Sequence, residues 1–158
     1  MTPAEFIATL SAAAQASMLT TKIPASFVIA EAALESGWGK SQLVTDGRNL
    51  FGVKADAAWH GDVLTMQTRE FLKGQWVIVP ARWRKYPDWL SCINDHAAFL
   101  LTNPRYKPAF THCDDTEAFT RAVAAAGYAT DPEYANKIIS VIRAHSLTQF
   151  DKPNGAIK

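Results

Sequence analysis

Residues 63–86 are the one stretch of this chain with the composition of β structure, and this bounds the fold more tightly than any other feature. Segments 63–71 and 75–86 are rich in Val, Ile, Thr, Trp and Tyr, and Lys73-Gly74 falls between them, which predicts a β-hairpin. By period two, Leu64, Met66, Thr68 and Glu70 share one face of the first arm. Pro80 in the second arm predicts an edge strand or a bulge there.

Both flanks are helical. Thr2-Pro3-Ala4-Glu5 has the form of a capping box with proline at the first helical position, and predicts a helix to about residue 18. Residues 24–36 form a second helix, with Ile23, Phe27, Ala30 and Leu34 at helical spacing and Gly37 as the stop. Pro87-Asp88 starts a helix that runs to about residue 101 and ends at Asn103-Pro104. Another spans about 116–126 and ends at Gly127. A last helix opens at Asp131-Pro132 and runs to about 146, and residues 151–158 read as a frayed tail. The fold class is therefore α+β, mostly α, as one domain over residues 1–150 with a hairpin lobe at about 60–86.

Composition excludes several function classes. Hydrophobic residues make up 48% and charged residues 20%, as in an ordinary globular domain. A formal net charge of +1 provides no field to draw the chain to nucleic acid or acidic lipid, so neither partner is expected. No apolar run approaches the ~20 residues of a membrane span, and the N-terminus lacks the basic flank of a signal peptide. Cys92 and Cys113 match no metal motif and read as free, mostly buried thiols, and the four histidines form no ligand pattern. No metal or organic cofactor is expected. Five tryptophans and eight phenylalanines are enough for a core and a binding cleft.

The sharpest candidate site is Ala32-Ala33-Leu34-Glu35-Ser36-Gly37-Trp38-Gly39. Most helical glutamates are solvated surface residues. Glu35, however, follows an apolar run, lies where a helix dipole disfavours negative charge, and has Trp38 close enough to desolvate it. Each of these raises a carboxyl pKa, which suits a general acid. Glu31, four residues earlier, lies on nearly the same face.

The blocks A-L-E-S-G-W-G-K-S, N-L-F-G-V-K-A and G-Y-A-T-D-P-E-Y-A-N-K-I, in this order, resemble the bacterial glucosaminidases of glycoside hydrolase family 73, over about residues 6–142. The resemblance implies a lysozyme-like α lobe, a small β-hairpin lobe and a glycan cleft between them. It also implies catalytic roles: Glu35 as general acid, Glu70 in Thr68-Arg69-Glu70-Phe71 as second acid, and Tyr128 as the site tyrosine. A family aspartate matches Asp95, for which a helix cap or an ion pair with a nearby Arg or Lys is the structural alternative. Glu31 departs from the neutral residue expected there. Its charge either raises the Glu35 pKa further or is neutralised by a basic neighbour.

Sugar rings stack their C–H faces on aromatics. Trp38, Phe51 and Trp83, with Asp95, form the expected substrate-binding set, and Trp59 is a further candidate. Arg82 and Arg84 lie in an alternating basic and aromatic stretch and are candidates to meet peptide carboxylates of the wall. The implied activity is cleavage of the β-1,4 bond between N-acetylglucosamine and N-acetylmuramic acid. Glu70 either activates water, giving inversion, or the substrate's 2-acetamido group attacks, giving retention. Alternatives are a muramidase or lytic transglycosylase and a non-catalytic wall-binding module. The expected setting is a protein made in the cytoplasm that reaches the wall by secretion or lysis. It would be an antibacterial effector, with an immunity protein blocking its cleft, or a phage endolysin.

Overall fold

The computed structural model describes residues 1–152. The described residues form six α-helices and one hairpin: α1 Pro3–Thr21, α2 Ala25–Ser36, α3 Gln42–Gly47, β1 Asp62–Leu72, β2 Gln75–Lys85, α4 Trp89–Thr102, α5 Thr116–Ala125 and α6 Tyr134–Ala144. Short 3-10 helices follow α4, at Pro104–Thr111, and α6, at Leu147–Asp151. The mostly helical α+β reading holds.

The capping box of α1 forms as expected: the Thr2 hydroxyl accepts from the Glu5 amide at 3.1 Å and the Glu5 carboxylate accepts from the Thr2 amide at 3.3 Å. α1 extends beyond residue 18 to Thr21 and stops at Lys22, which is left-handed with φ 67°, just before Ile23-Pro24. α2 is the central helix. Ten of its twelve residues are buried, so it is wrapped on all sides rather than lying amphipathically on a surface. Its alanines allow the close approach, and Phe27 meets Phe119 of α5 edge to face at 5.1 Å. Ile23, Phe27 and Ala30 are buried as the spacing predicts, but Leu34 is 39% exposed because the last turn of α2 emerges from the core. Gly37 ends the helix with φ 59°, its N–H bonded to the Ala33 carbonyl.

The hairpin has a regular antiparallel register from Asp62↔Lys85 to Leu72↔Gln75. Lys73 and Gly74 both have positive φ, 51° and 78°, as a two-residue turn of the primed type requires. The register passes through Gln67↔Pro80 without a bulge, and with only two strands β2 is an edge, so Pro80's missing N–H deprives no third strand. Leu64, Met66, Thr68 and Glu70 form the more covered face, while Phe71, Trp76 and Ile78 are exposed.

Three further expectations need correction. α3 and the 3-10 helix after α4 were not predicted, being too short for a periodic signal. α6 begins at Tyr134 rather than at 131, because the Asp131 carboxylate takes the Glu133 amide at 2.8 Å and forms a turn ahead of the helix. Asp151 is not frayed. Its carboxylate accepts from the Ser26 amide at 2.8 Å and the Ser26 hydroxyl at 2.6 Å. The rest of the expected tail, 153–158, lies outside the described residues. Cys92 is buried and Cys113 half-buried, both free, and burial pushes the Cys92 thiol up to about 12.

Asp151 caps α2 from far along the chain, because Pro24 at the N-cap has no side chain able to do so. Asp151→Ala should therefore destabilise the protein by about 1–2 kcal/mol, read as a lower urea midpoint with unchanged slope.

Candidate active site

A trough of about 650 Å³ runs past the C-terminal end of α2. Glu35 lines it, as do Phe51 from the loop before the hairpin, Asp95, His96 and Phe99 from α4, and Tyr128 from the segment after α5. Three elements distant in sequence thus converge on the carboxyl singled out from its local context.

Glu35 is open to water within the trough, yet the surrounding walls desolvate it in part. Its pKa is raised, first by this burial and then by the charge of Glu31, with His96 opposing. Trp38 is not the cause. It turns away from the trough to pack edge to face on Phe6 at 5.6 Å and on His145 at 4.9 Å.

Glu31 lies one turn below Glu35 and is 0% exposed. One carboxylate oxygen is 2.9 Å from His96 Nε2 and the other accepts from the Tyr134 hydroxyl at 3.0 Å. The Tyr128 hydroxyl is 3.0 Å from the same His96 nitrogen. Burial alone would push the Glu31 carboxyl up. The His96 charge and the bonds from His96, Tyr128 and Tyr134 outweigh it, so the group is held below the usual carboxylate range. Burial, followed by the charge of Glu31, raises the phenols of Tyr128 and Tyr134, so both remain proton donors. Of the two possibilities for Glu31, the structure contains both: it raises Glu35 and is itself paired with a basic neighbour.

His96 was missed from sequence because its partner is 65 residues away. It follows Asp95 on α4 and is held by Phe51, which stacks on its ring at 4.1 Å and 15°. Asn49 was also missed. Buried at 1%, it accepts from the Val53 amide at 3.0 Å and donates to the carbonyls of Val53 and Arg84, each at 2.9 Å. It thereby staples the N-L-F-G-V loop to β2.

Asp95 lines the trough in its structural alternative. Its Oδ2 accepts from Arg84 Nη1 at 2.7 Å and from the Tyr86 hydroxyl at 2.5 Å. Arg84, which also lines the trough, donates to the Lys54 carbonyl at 3.1 Å and pairs with Asp56 at 3.3 Å. Arg82 is exposed on the hairpin.

The remaining candidates are not brought into the trough. Glu70 reaches it only through Lys54, a lining residue whose Nζ is 3.6 Å from the Glu70 carboxylate. Trp83 lies beneath the same ammonium, 5.5 Å from its ring centre. Trp59 supports the base of the hairpin, donating to the Asp62 carbonyl at 2.8 Å and lying under the Arg84 guanidinium at 4.7 Å.

The profile of the glucosaminidase family, described as mannosyl-glycoprotein endo-beta-N-acetylglucosaminidase, matches residues 11–147. The chain belongs to this family. It is 39% identical over 143 residues to the peptidoglycan hydrolase FlgJ of Vibrio parahaemolyticus, covering 88% of this chain and 46% of that protein. It is 37% identical over 158 residues to the exo-glucosaminidase LytG of Bacillus subtilis, covering 97% of this chain and 55% of that protein. The chain thus spans about half the length of these relatives. Among solved structures, the catalytic domain of the autolysin Auto from Listeria monocytogenes superposes with a TM-score of 0.81 at 30% identity, covering 94% of this chain and 87% of that one. The glycoside hydrolase domain of Salmonella typhimurium FlgJ superposes at 0.80 with 36% identity, covering 94% and 91%. The lysozyme-like glucosaminidase fold is therefore shown.

Because Asp95 joins Arg84 of the hairpin and buried Tyr86 to α4, Asp95→Ala leaves the Tyr86 hydroxyl and Arg84 Nη1 without their acceptor. Loss of about 2–3 kcal/mol of unfolding free energy is expected, with Asp95→Asn costing less, measured by urea titration.

Proposed function

We propose that this protein is a peptidoglycan hydrolase that cleaves the β-1,4 bond between N-acetylglucosamine and N-acetylmuramic acid, with Glu35 as general acid. The observation that carries this reading is Glu35 itself, a carboxyl of raised pKa on the wall of a trough large enough for sugar rings. The printed names of the relatives, peptidoglycan hydrolase and exo-glucosaminidase, support the same substrate class.

Glu35 protonates the bridging oxygen as the bond breaks and the ring passes through an oxocarbenium-like state. The second step is then short of a free carboxylate. Of the described residues, the other acids lining the trough are Asp56 and Asp95, both paired with Arg84, and Glu70 is held outside by Lys54. This arrangement supports attack by the substrate's own 2-acetamido group, giving retention, with Tyr128 orienting that group and Phe51 offering a ring for sugar stacking. Inward movement of the hairpin would bring Glu70 in as a base on water, giving inversion. Proton NMR of the first-formed anomer separates the two: β product supports acetamido attack and α product supports Glu70.

For biological setting we propose delivery to the wall as a secreted antibacterial effector or a phage endolysin. A neighbouring gene for a small exported protein that blocks the trough would support the first, and one for a membrane-spanning holin the second.

Glu35→Gln should keep the fold and lower release of reducing ends from purified wall by about 10²–10⁴-fold. Mass spectrometry should find N-acetylglucosamine at the new reducing ends. Anhydro-muramic ends would mean a transglycosylase, muramic reducing ends a muramidase, and wall binding without release a binding module. The active form carries the proton, so activity falls as pH rises through the Glu35 pKa. That alkaline limb should lie above the ordinary glutamate range and disappear with Glu35→Gln.

A further inference from the structure

Glu31 is a charge that the reaction above does not use. An ionised carboxylate removed from water costs several kcal/mol unless it is paired and hydrogen-bonded. Its surroundings supply that pairing from three other segments of the chain. His96 comes from α4, Tyr134 from α6 and Tyr128 from the segment between α5 and α6, and Glu35 stands one turn on in α2. Tyr106, from the 3-10 helix after α4, backs the Tyr128 ring at 5.9 Å. Among the described residues, the one basic side chain paired with Glu31 is His96.

The hydrogen bonding has a direction. A carboxylate oxygen only accepts, so His96 Nε2 carries the hydrogen between it and Glu31. The Tyr128 hydroxyl stands beside that nitrogen at 3.0 Å and is itself one of the donors that hold the Glu31 charge.

We propose that Glu31 is a positioning residue acting through Glu35: a fixed negative charge, shut off from water one turn below it on α2 and fastened there by His96 and Tyr134, that holds the proton on the Glu35 carboxyl. The proposal rests on the reading of Glu35 as proton donor. His96 offsets part of the charge. At Glu35 the effect of Glu31 exceeds that of His96, so the pair acts there as a net negative group.

Carbon-13 NMR titration of side-chain carboxyls in the intact protein tests this without turnover, with Glu35→Gln and Glu31→Gln assigning the resonances. In the wild type the two carboxyls should titrate in separate steps, Glu31 below Glu35. Glu31→Gln should move the Glu35 midpoint down by about one unit. The alkaline limb of glycan hydrolysis should move with it, so that activity above the limb falls about tenfold while the acid-side plateau is retained. Glu31→Asp keeps the charge and should leave the limb near its wild-type position. The proposal is overturned if the Glu35 midpoint is the same in wild type and Glu31→Gln, including the case where the rate merely drops equally at all pH. It is also overturned if wild-type Glu31 titrates at or above Glu35, a measurement that needs no variant to fold. A protein showing the expected titration but no glycan hydrolysis would refute the proposed function and leave the coupling of the two glutamates standing.

Discussion

A carboxylate with no access to water must find all its partners inside the protein, and for Glu31 those partners tie the trough together. Its two oxygens draw His96 and Tyr134 inward, and His96 in turn fixes Tyr128 and gives Phe51 a flat surface to stack on. The segments that carry the polar partners, α4, α6 and the segment after α5, are bound to α2 by one buried polar network, and the loop before the hairpin joins it through the stacked Phe51 ring. Such networks are costly when half satisfied and rigid when complete. Among the described residues, no buried side-chain nitrogen or oxygen lacks a partner.

The hairpin is joined to this helical body by a second polar hub. Two strands cannot build a core of their own, so the base of the hairpin depends on Arg84, which links Asp95, Asp56 and the Lys54 carbonyl, and on Asn49, which fastens the preceding loop to β2. Farther out, the Glu70 carboxylate pairs with the exposed side chain of Lys54. The base of the lobe is thus anchored by buried polar groups, while Phe71, Trp76 and Ile78 near its tip are exposed.

Element types were readable from the sequence because their signals are local. The capping box, Gly37, Lys73-Gly74 and Asp88 each act within a few residues, and each is found doing so. Failures occurred where a local signal met a tertiary competitor. Trp38 stands three residues from Glu35, but its left-handed backbone, φ 60°, sends the ring onto Phe6 and His145. Asp151 looks like tail, yet Ser26 needed an acceptor at the start of α2. Leu34 keeps the helical period but lies where α2 leaves the core.

The sequence by itself determined that the chain is mostly helical with one hairpin, and that Glu35 sits where a helix ends. Periodicity, caps and turn residues act over a few positions and need no knowledge of the rest of the chain. Only the tertiary structure decided what surrounds that carboxyl: that Glu31 lies buried against His96, that Tyr128 and Phe51 share its trough, and that Trp38, Trp83 and Glu70 do not line it. Desolvation and Coulomb interaction depend on distance in space, and residues 31, 96, 128 and 134 become neighbours only when the helices pack.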